Sequence, residues 1–244
     1  LVDKPAGLSS NDVVALTRRL AATRKVGHAG TLDPMATGLL VLGVGRAKRP
    51  PTYLVGADKT YEATVRLGQE TTTEDAEGGV TTARGCRIDD LPAARLDEEL
   101  DRLTGPIQQV PSAVSAIRVD GMRSYERVRR GQDVELAARS VTIHALELRG
   151  RPRAAAAVNG NGTAGAAGAA GSVGSVGAAD TVEVVDIDLR VACSSGTYVR
   201  ALARDLGAAL GCGAHLTALR RTRVGPFGVD EAATLGALSA RVES

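Results

Sequence analysis

The chain has 244 residues, 43% hydrophobic and 24% charged, with a formal charge of +2. That is enough apolar material for a substantial core, in the balance of a globular protein. No apolar run reaches the length of a membrane span, no secretory signal pattern opens the chain, and Cys86, Cys193 and Cys212 form no C-x-x-C pair, which points to reduced thiols in a cytosol.

The chain opens at Leu1 inside an apolar strand-like run and stops at Ser244 after the helical pattern of Leu235, Leu238 and Val242, so an excerpt from a longer protein is expected. Ser9 and Asp12 form a capping-box start for a helix in which Val13, Leu16 and Leu20 recur at helical spacing. Residues 39–44, LLVLGV, read as one buried strand. Residues 61–67 alternate, with Tyr61, Ala63, Val65 and Leu67 on one face and Glu62, Thr64 and Arg66 on the other. Leu96, Leu100 and Leu103 mark a second helix, and Val185, Ile187, Leu189 and Val191 a second alternating strand. Thr197 is placed to cap a third helix with the apolar stripe Val199, Leu202, Ala203, Leu206 and Leu210, with Arg200 and Arg204 one turn apart on another face. Helices and strands mix without a βαβα rhythm, which favours an α+β fold. Residues 154–179 stand apart: 18 of 26 positions are alanine or glycine and none is charged, so the stretch reads as a flexible insertion between two strands.

Charge is unevenly spread. Residues 118–130 carry five arginines against Asp120 and Glu126, and residues 200–223 carry Arg200, Arg204, Arg220, Arg221 and Arg223 against Asp205. Residues 70–101 hold ten acids and three arginines. Separated basic stretches suit a polyanion bound along one face, and on charge alone solvated arginines on unrelated surfaces fit equally well. His144 and His215 have no partner at metal-ligand spacing, which speaks against a metal site. Gly43-Val-Gly45-Arg-Ala-Lys48 is neither a dinucleotide fingerprint nor a P-loop.

Chemistry concentrates in residues 27–38. Gly27, Gly30 and Gly38 make that backbone permissive, and Pro34 pushes Asp33 towards extended geometry, so a carboxylate is presented from a constrained loop ahead of a strand. Taken alone, an Asp-Pro in a glycine-rich loop is more often a turn. In context, GHAGTLDPMATGLL closely resembles the catalytic-aspartate motif of the TruB family of tRNA pseudouridine-55 synthases. The resemblance continues in order through DKPAGLSSNDV at 3–13, KTYEATVRLGQETTTEDAEG at 59–78, PSAVSAIRVDGMRSYERVRRG at 111–131 and CSSGTYVRALARDLGAALGCGAHLTALRRTRVGPF at 193–227.

The resemblance implies a pseudouridine synthase fold, a mixed and mainly antiparallel sheet with flanking helices. It also implies an isomerisation without metal or cofactor, in which the uridine glycosidic bond breaks and the base is rejoined through carbon. Asp33 matches the essential aspartate, acting as nucleophile or as base on the sugar, and Arg200 the arginine that pairs with it. Tyr61 matches the tyrosine against the target base, although its alternation with Ala63 and Val65 fits core packing too. Tyr198 and Leu219 match pocket-lining residues, with core packing the alternative for Leu219, and His28 matches the histidine that enters the RNA beside the extruded base. Lys4 fits either substrate contact or support of the catalytic loop. Arg123 and Arg127 fall in the thumb that grips RNA, at 111–131, where Val114 replaces a frequent tyrosine.

The implied partner is the T-arm of tRNA, bound by a cytoplasmic monomer without guide RNA. Met35-Ala36 after Leu-Asp-Pro follows the stand-alone pattern; guide-dependent relatives carry Lys-Val. Residues 1–244 are expected to form one catalytic domain, with the family's small C-terminal RNA-binding domain absent. A non-catalytic RNA-binding protein is the alternative, but four tyrosines and one phenylalanine provide no stacking platform.

Overall fold

The computed structural model describes residues 1–48, 52–113, 118–119, 122–123, 136–158 and 181–243. Strand β1 (Val2–Lys4) leads into helix α1 (Ser10–Leu20). The start of α1 is the expected capping box: Asp12 N donates to Ser9 Oγ at 3.2 Å, and Ser9 N to Asp12 Oδ2 at 2.8 Å, which satisfies donors that a helix start leaves open. Strand β2 (Val26–His28) precedes the Asp33 loop and β3 (Thr37–Leu40) follows it. The single strand expected over 39–44 is divided, because β4 (Leu42–Val44) leaves the main sheet to pair with β2. Val41 is the switch point; its carbonyl accepts from Ala29 N at 2.9 Å. The sequence does not show this break because both halves of the run are apolar.

Helix α2 (Thr52–Val55) leads to β5 (Lys59–Leu67), where Lys59, Tyr61, Ala63, Val65 and Leu67 are buried on one face, as the alternation requires. Strands β6 (Gln69–Thr71) and β7 (Val80–Ala83) pair with each other, α3 (Ala93–Arg102) buries Leu96 and Leu100, and β8 (Gly105–Gln109) follows. Within 111–131, strands β9 (Arg118–Val119) and β10 (Met122–Arg123) pair, while Val114 and Arg127 lie outside the described residues. Strand β11 (Arg139–Val158) returns antiparallel through β12 (Thr181–Cys193). The expected insertion at 154–179 therefore begins too early: Ala154–Val158 are strand, paired with Thr181–Val185, and the rest lies outside the described residues. Small side chains do not prevent pairing, since the ladder is made by backbone groups. Helix α4 (Val199–Leu210), β13 (Ala214–Val224), β14 (Phe227–Gly228), β15 (Ala233–Thr234) and α5 (Leu235–Glu243) complete the chain.

Among the described residues the main sheet has nine strands in the order β15-β1-β3-β13-β5-β12-β11-β8, with β14 on β13. The β1–β15 and β13–β3 contacts are parallel and the others antiparallel, so the sheet is mixed and mainly antiparallel, in agreement with the α+β expectation. Leu202, Leu206 and Leu210 of α4 and Leu96 and Leu100 of α3 pack with Val65, Ile187 and Leu216 of the central strands. Each such burial stabilises by roughly 1.5–3 kcal/mol. Packing α4 on the sheet sets its first turn beside the loop of Asp33. No helix among the described residues is long and apolar enough to cross a membrane.

Candidate active site

The Asp33 loop rests on β1 and the start of α1. Lys4 is fully buried, and its ammonium donates to the carbonyls of Pro5 (2.8 Å), Leu8 (2.7 Å) and Pro34 (3.2 Å). Ser10 Oγ accepts from Leu32 N at 2.8 Å and donates to Leu32 O at 3.0 Å, and Gly7 N donates to Pro34 O at 2.9 Å. The residues on either side of Asp33 are thus held by the 3–13 segment, with the buried Lys4 ammonium bridging it to Pro34. Gly38, with φ +99°, ends the loop where β3 passes β13; a Cβ there would overlap the Arg221 carbonyl.

Asp33 faces a pocket of about 270 Å³ lined also by Lys59, Tyr61, Tyr198, Arg200, Leu219 and Arg221. Arg200 Nε lies 3.0 Å from Asp33 Oδ2. The arginine side chain is 5% exposed, while Asp33 keeps 37% of its side chain open. Arg200 Nη1 donates to Thr73 O at 2.9 Å and to Ser112 Oγ at 3.4 Å, and lies 3.5 Å from Asp75 Oδ2. Asp75 is itself buried, its Oδ1 accepting from Thr73 Oγ1 at 2.5 Å and from Glu77 N at 3.0 Å. Burial pushes the Asp33 carboxyl above the usual range; the Arg200 cation pulls it down and the Asp75 charge pushes it up. The net upward shift leaves a more basic carboxylate, oriented by a planar cation.

The first turn of α4 is positioned by a residue that the sequence did not single out. Gln109 at the end of β8, 1% exposed, accepts from Tyr198 N at 2.9 Å and donates to Tyr198 O at 3.1 Å. Thr197, expected to cap this helix, instead donates to Ser194 O at 2.9 Å, and Tyr198 stands at the cap position. Arg204, one turn beyond Arg200, pairs with Glu74 and Asp205 at 2.8 Å each, away from the pocket.

Tyr61 lies in the β5 register opposite Arg221 of β13 and is 7% exposed. Burial raises its phenol pKa against the pull of Arg221, so the ring enters the pocket as a neutral phenol. Leu219 lines the pocket and belongs to the core. His28 sits at the end of β2, half-buried and outside the pocket lining; burial and the Arg221 charge lower its pKa and favour the neutral ring. Arg221 is 1% exposed and donates to Leu39 O (2.8 Å), Thr31 O (3.2 Å) and Gly30 O (3.1 Å), which holds both limbs of the loop. Of the arginines within 111–131, the backbones of Arg118, in β9, and Arg123, in β10, lie within the described residues.

Structure thus brings Asp33, Tyr61, Tyr198, Arg200 and Leu219 to one pocket, adds Lys59 and Arg221 to its lining, and sets Asp75 and Ser112 against Arg200 and Gln109 against Tyr198. Asp75 lies in the acidic stretch 70–101 and was not singled out there. Its only signal was its place in the TTTEDAEG segment. No group of three or more His, Cys, Asp or Glu capable of holding a metal ion occurs among the described residues.

Residues 18–164 match the family model described as TruB family pseudouridylate synthase (N terminal domain), and residues 200–244 match the tRNA pseudouridylate synthase B C-terminal domain. The chain is 55% identical over 245 residues to the tRNA pseudouridine synthase B of Paenarthrobacter aurescens, covering 100% of this chain and 70% of that protein. It is 54% identical to that of Thermobifida fusca, over 98% of this chain and 73% of the relative. Among solved structures, a chain of a Cbf5-Nop10-Gar1 complex superposes with TM-score 0.63 at 27% identity, over 96% of this chain and 51% of that one. A chain of the archaeal box H/ACA sRNP Nop10-Cbf5 complex gives 0.60 at 25%, over 99% and 52%, so this chain spans about half the length of either. The mixed, mainly antiparallel sheet is that of a pseudouridine synthase. The chain belongs to the TruB family of pseudouridylate synthases.

Proposed function

We propose that this pocket isomerises the uridine at position 55 in the T loop of tRNA to pseudouridine, with Asp33 as the reactive group. The observation that carries the proposal is the Asp33–Arg200 pair, 3.0 Å apart, opening on a pocket that also holds Tyr61. A uridine folded into a loop hides its glycosidic bond, so the base is extruded into the pocket, and His28, at the end of β2, stands ready to fill the gap in the RNA. Asp33 either attacks C1′, forming a sugar ester as the N1–C1′ bond breaks, or removes the C2′ proton to give a glycal. In both routes the freed base turns and C5 bonds to C1′, as the Asp33 ester bond breaks in the first route and Asp33 returns its proton to C2′ in the second; the C5 proton is then lost while N1 is protonated. The atoms of substrate and product are the same, so the reaction consumes no redox equivalent. Arg200 fixes the carboxylate rotamer, and Tyr61 packs on the base near C5. The 111–131 segment, with Arg123 and Arg127, grips phosphates as a thumb. In this reading residues 1–244 form one catalytic unit that works in the cytoplasm as a monomer without guide RNA, which the 50–55% identity to proteins named tRNA pseudouridine synthase B supports.

Asp33→Asn tests the assignment. Because the folded carboxyl has a raised pKa, its ionised form costs stability once pH passes its unfolded value, and an amide resembles the neutral acid. The variant is expected to melt no lower than wild type at neutral pH, to bind a T-arm stem-loop with unchanged affinity, and to form no pseudouridine in a single-turnover assay mapped by nucleotide. Residual turnover within about tenfold of wild type would remove Asp33 from the reaction.

A further inference from the structure

Among the described residues, the charged side chains that line the pocket are Asp33, Lys59, Arg200 and Arg221. Asp33 is paired with Arg200, which also faces Asp75. Lys59 and Arg221 form no ion pair among the described residues, although they are only 8% and 1% exposed. Both lie against Gly30 at the pocket wall: a Cβ there would stand 3.6 Å from Lys59 Cε and 3.6 Å from Arg221 Nη1. The acid next to Lys59 in the chain, Asp58, is turned to His144 Nε2 at 3.2 Å. Two neighbouring buried cations repel each other and lose hydration, with no counterion to offset either cost.

The two buried lysines differ in how their donors are used. Lys4 lies outside the pocket lining, and its ammonium donates to three carbonyls, one for each N–H. The Lys59 ammonium donates to two, Ala57 O at 2.5 Å and Val55 O at 3.3 Å. One N–H is left without an acceptor among the described residues, on a side chain flanked by Val55 and Gly30, which both line the pocket. Lys59 also shares the buried face of β5 with Tyr61, about 7 Å away along the strand. Arg221, by contrast, is committed to the loop through the carbonyls of Leu39, Thr31 and Gly30.

Breaking the N1–C1′ bond leaves its electron pair on the base, whether Asp33 attacks C1′ or removes the C2′ proton. The uracil departs as an anion, its charge shared by N1, O2 and O4, and gives that pair up again when C5 bonds to C1′. Asp33 repels this charge, and Arg200 is held between two carboxylates. Resting on the reading of this pocket as a uridine isomerase, we propose that Lys59 is a further catalytic residue, whose ammonium donates to a carbonyl oxygen of the departing uracil. Arg221 beside it adds positive field. Lys59 keeps its proton throughout, so the contact changes no atom count. It strengthens as the bond breaks, because the oxygen becomes negative only then, and so it speeds cleavage more than it tightens binding.

The test compares uridine with 5-fluorouridine at the target position of a T-arm stem-loop. Fluorine withdraws electrons from the ring, so the fluorinated base leaves with less help. Loss of the N-glycoside is followed in single turnovers at saturating protein for wild type and Lys59→Met, with RNA affinity measured separately. Lys59→Met should slow the uridine RNA by roughly ten- to hundredfold at unchanged affinity, and the fluorouridine RNA by a factor about threefold or more smaller. The ratio of the two losses is independent of the folded fraction, since both RNAs meet the same preparation. Where Lys59→Met does not fold, Lys59→Gln, which keeps a hydrogen-bond donor without the charge, is read in the same way. Equal losses on the two RNAs would overturn the proposal and make Lys59 a tether of the turn before β5. An unchanged rate, or a loss of affinity at unchanged rate, would overturn it as well. Wild-type protein that forms no pseudouridine from the uridine RNA would instead refute uridine isomerisation itself.

Discussion

Replacing Arg200 with lysine tests how far catalysis depends on the geometry of the ion pair beyond its charge. Arg200 serves four partners from one planar group: Asp33 at 3.0 Å, Asp75 at 3.5 Å, Thr73 O at 2.9 Å and Ser112 Oγ at 3.4 Å. A lysine ammonium in the same space keeps the positive charge but cannot face Asp33 and Asp75 together in the plane of a fork. A hydrogen bond to a charged group is worth about 1.5–3 kcal/mol, and 1.36 kcal/mol is tenfold in rate, so loss of the Asp33 contact alone predicts roughly a ten- to hundredfold slower chemical step. Arg204→Lys is the control. Its pairs with Glu74 and Asp205 are partly exposed, worth about 1 kcal/mol or less, and lie away from the pocket. Single-turnover pseudouridine formation with a T-arm stem-loop at saturating enzyme separates chemistry from binding. Arg200→Lys should lose rate at constant RNA affinity, while Arg204→Lys stays within about threefold of wild type. Equal rates for the two variants, or an Arg200→Lys protein that loses affinity and keeps its rate, would reduce Arg200 to a phosphate contact.

Two further outcomes follow from the surroundings of Asp33. Asp75→Asn removes a negative charge that raises the Asp33 pKa, so Asp33 should ionise at lower pH, and the acid limb of the single-turnover pH profile should move downward while the plateau falls; a limb that stays in place would mean that another group sets it. Lys4→Met leaves the carbonyls of Pro5, Leu8 and Pro34 without their shared donor, at a cost of about 1–3 kcal/mol in denaturant unfolding, with turnover falling as the loop loosens. Unchanged stability would show that water replaces the ammonium.

Periodicity and capping chemistry are local properties, and the elements that depend on them were legible in the chain. The capping box of α1, the buried face of β5 and the apolar stripe of α4 appear where their spacing places them. Asp33 stood out only through the resemblance of GHAGTLDPMATGLL to the TruB motif, since an Asp-Pro among glycines is by itself more often a turn. What lay out of reach depends on partners distant in sequence. A run of apolar residues does not reveal that β3 and β4 join different sheets, since burial is common to both and pairing is not. Arg200 and Arg204 look alike one turn apart on a helix; only the packing of α4 against the sheet turns one into the pocket and the other towards Glu74. Asp75 reads as one more acid in an acidic stretch until the fold buries it beside Arg200, where an unpaired charge would be costly and a paired one orients the reactive carboxylate. Chain order determines which residues are present and how each short segment folds. Hydrogen-bond pairing and burial between segments far apart in sequence decide which of them share a site.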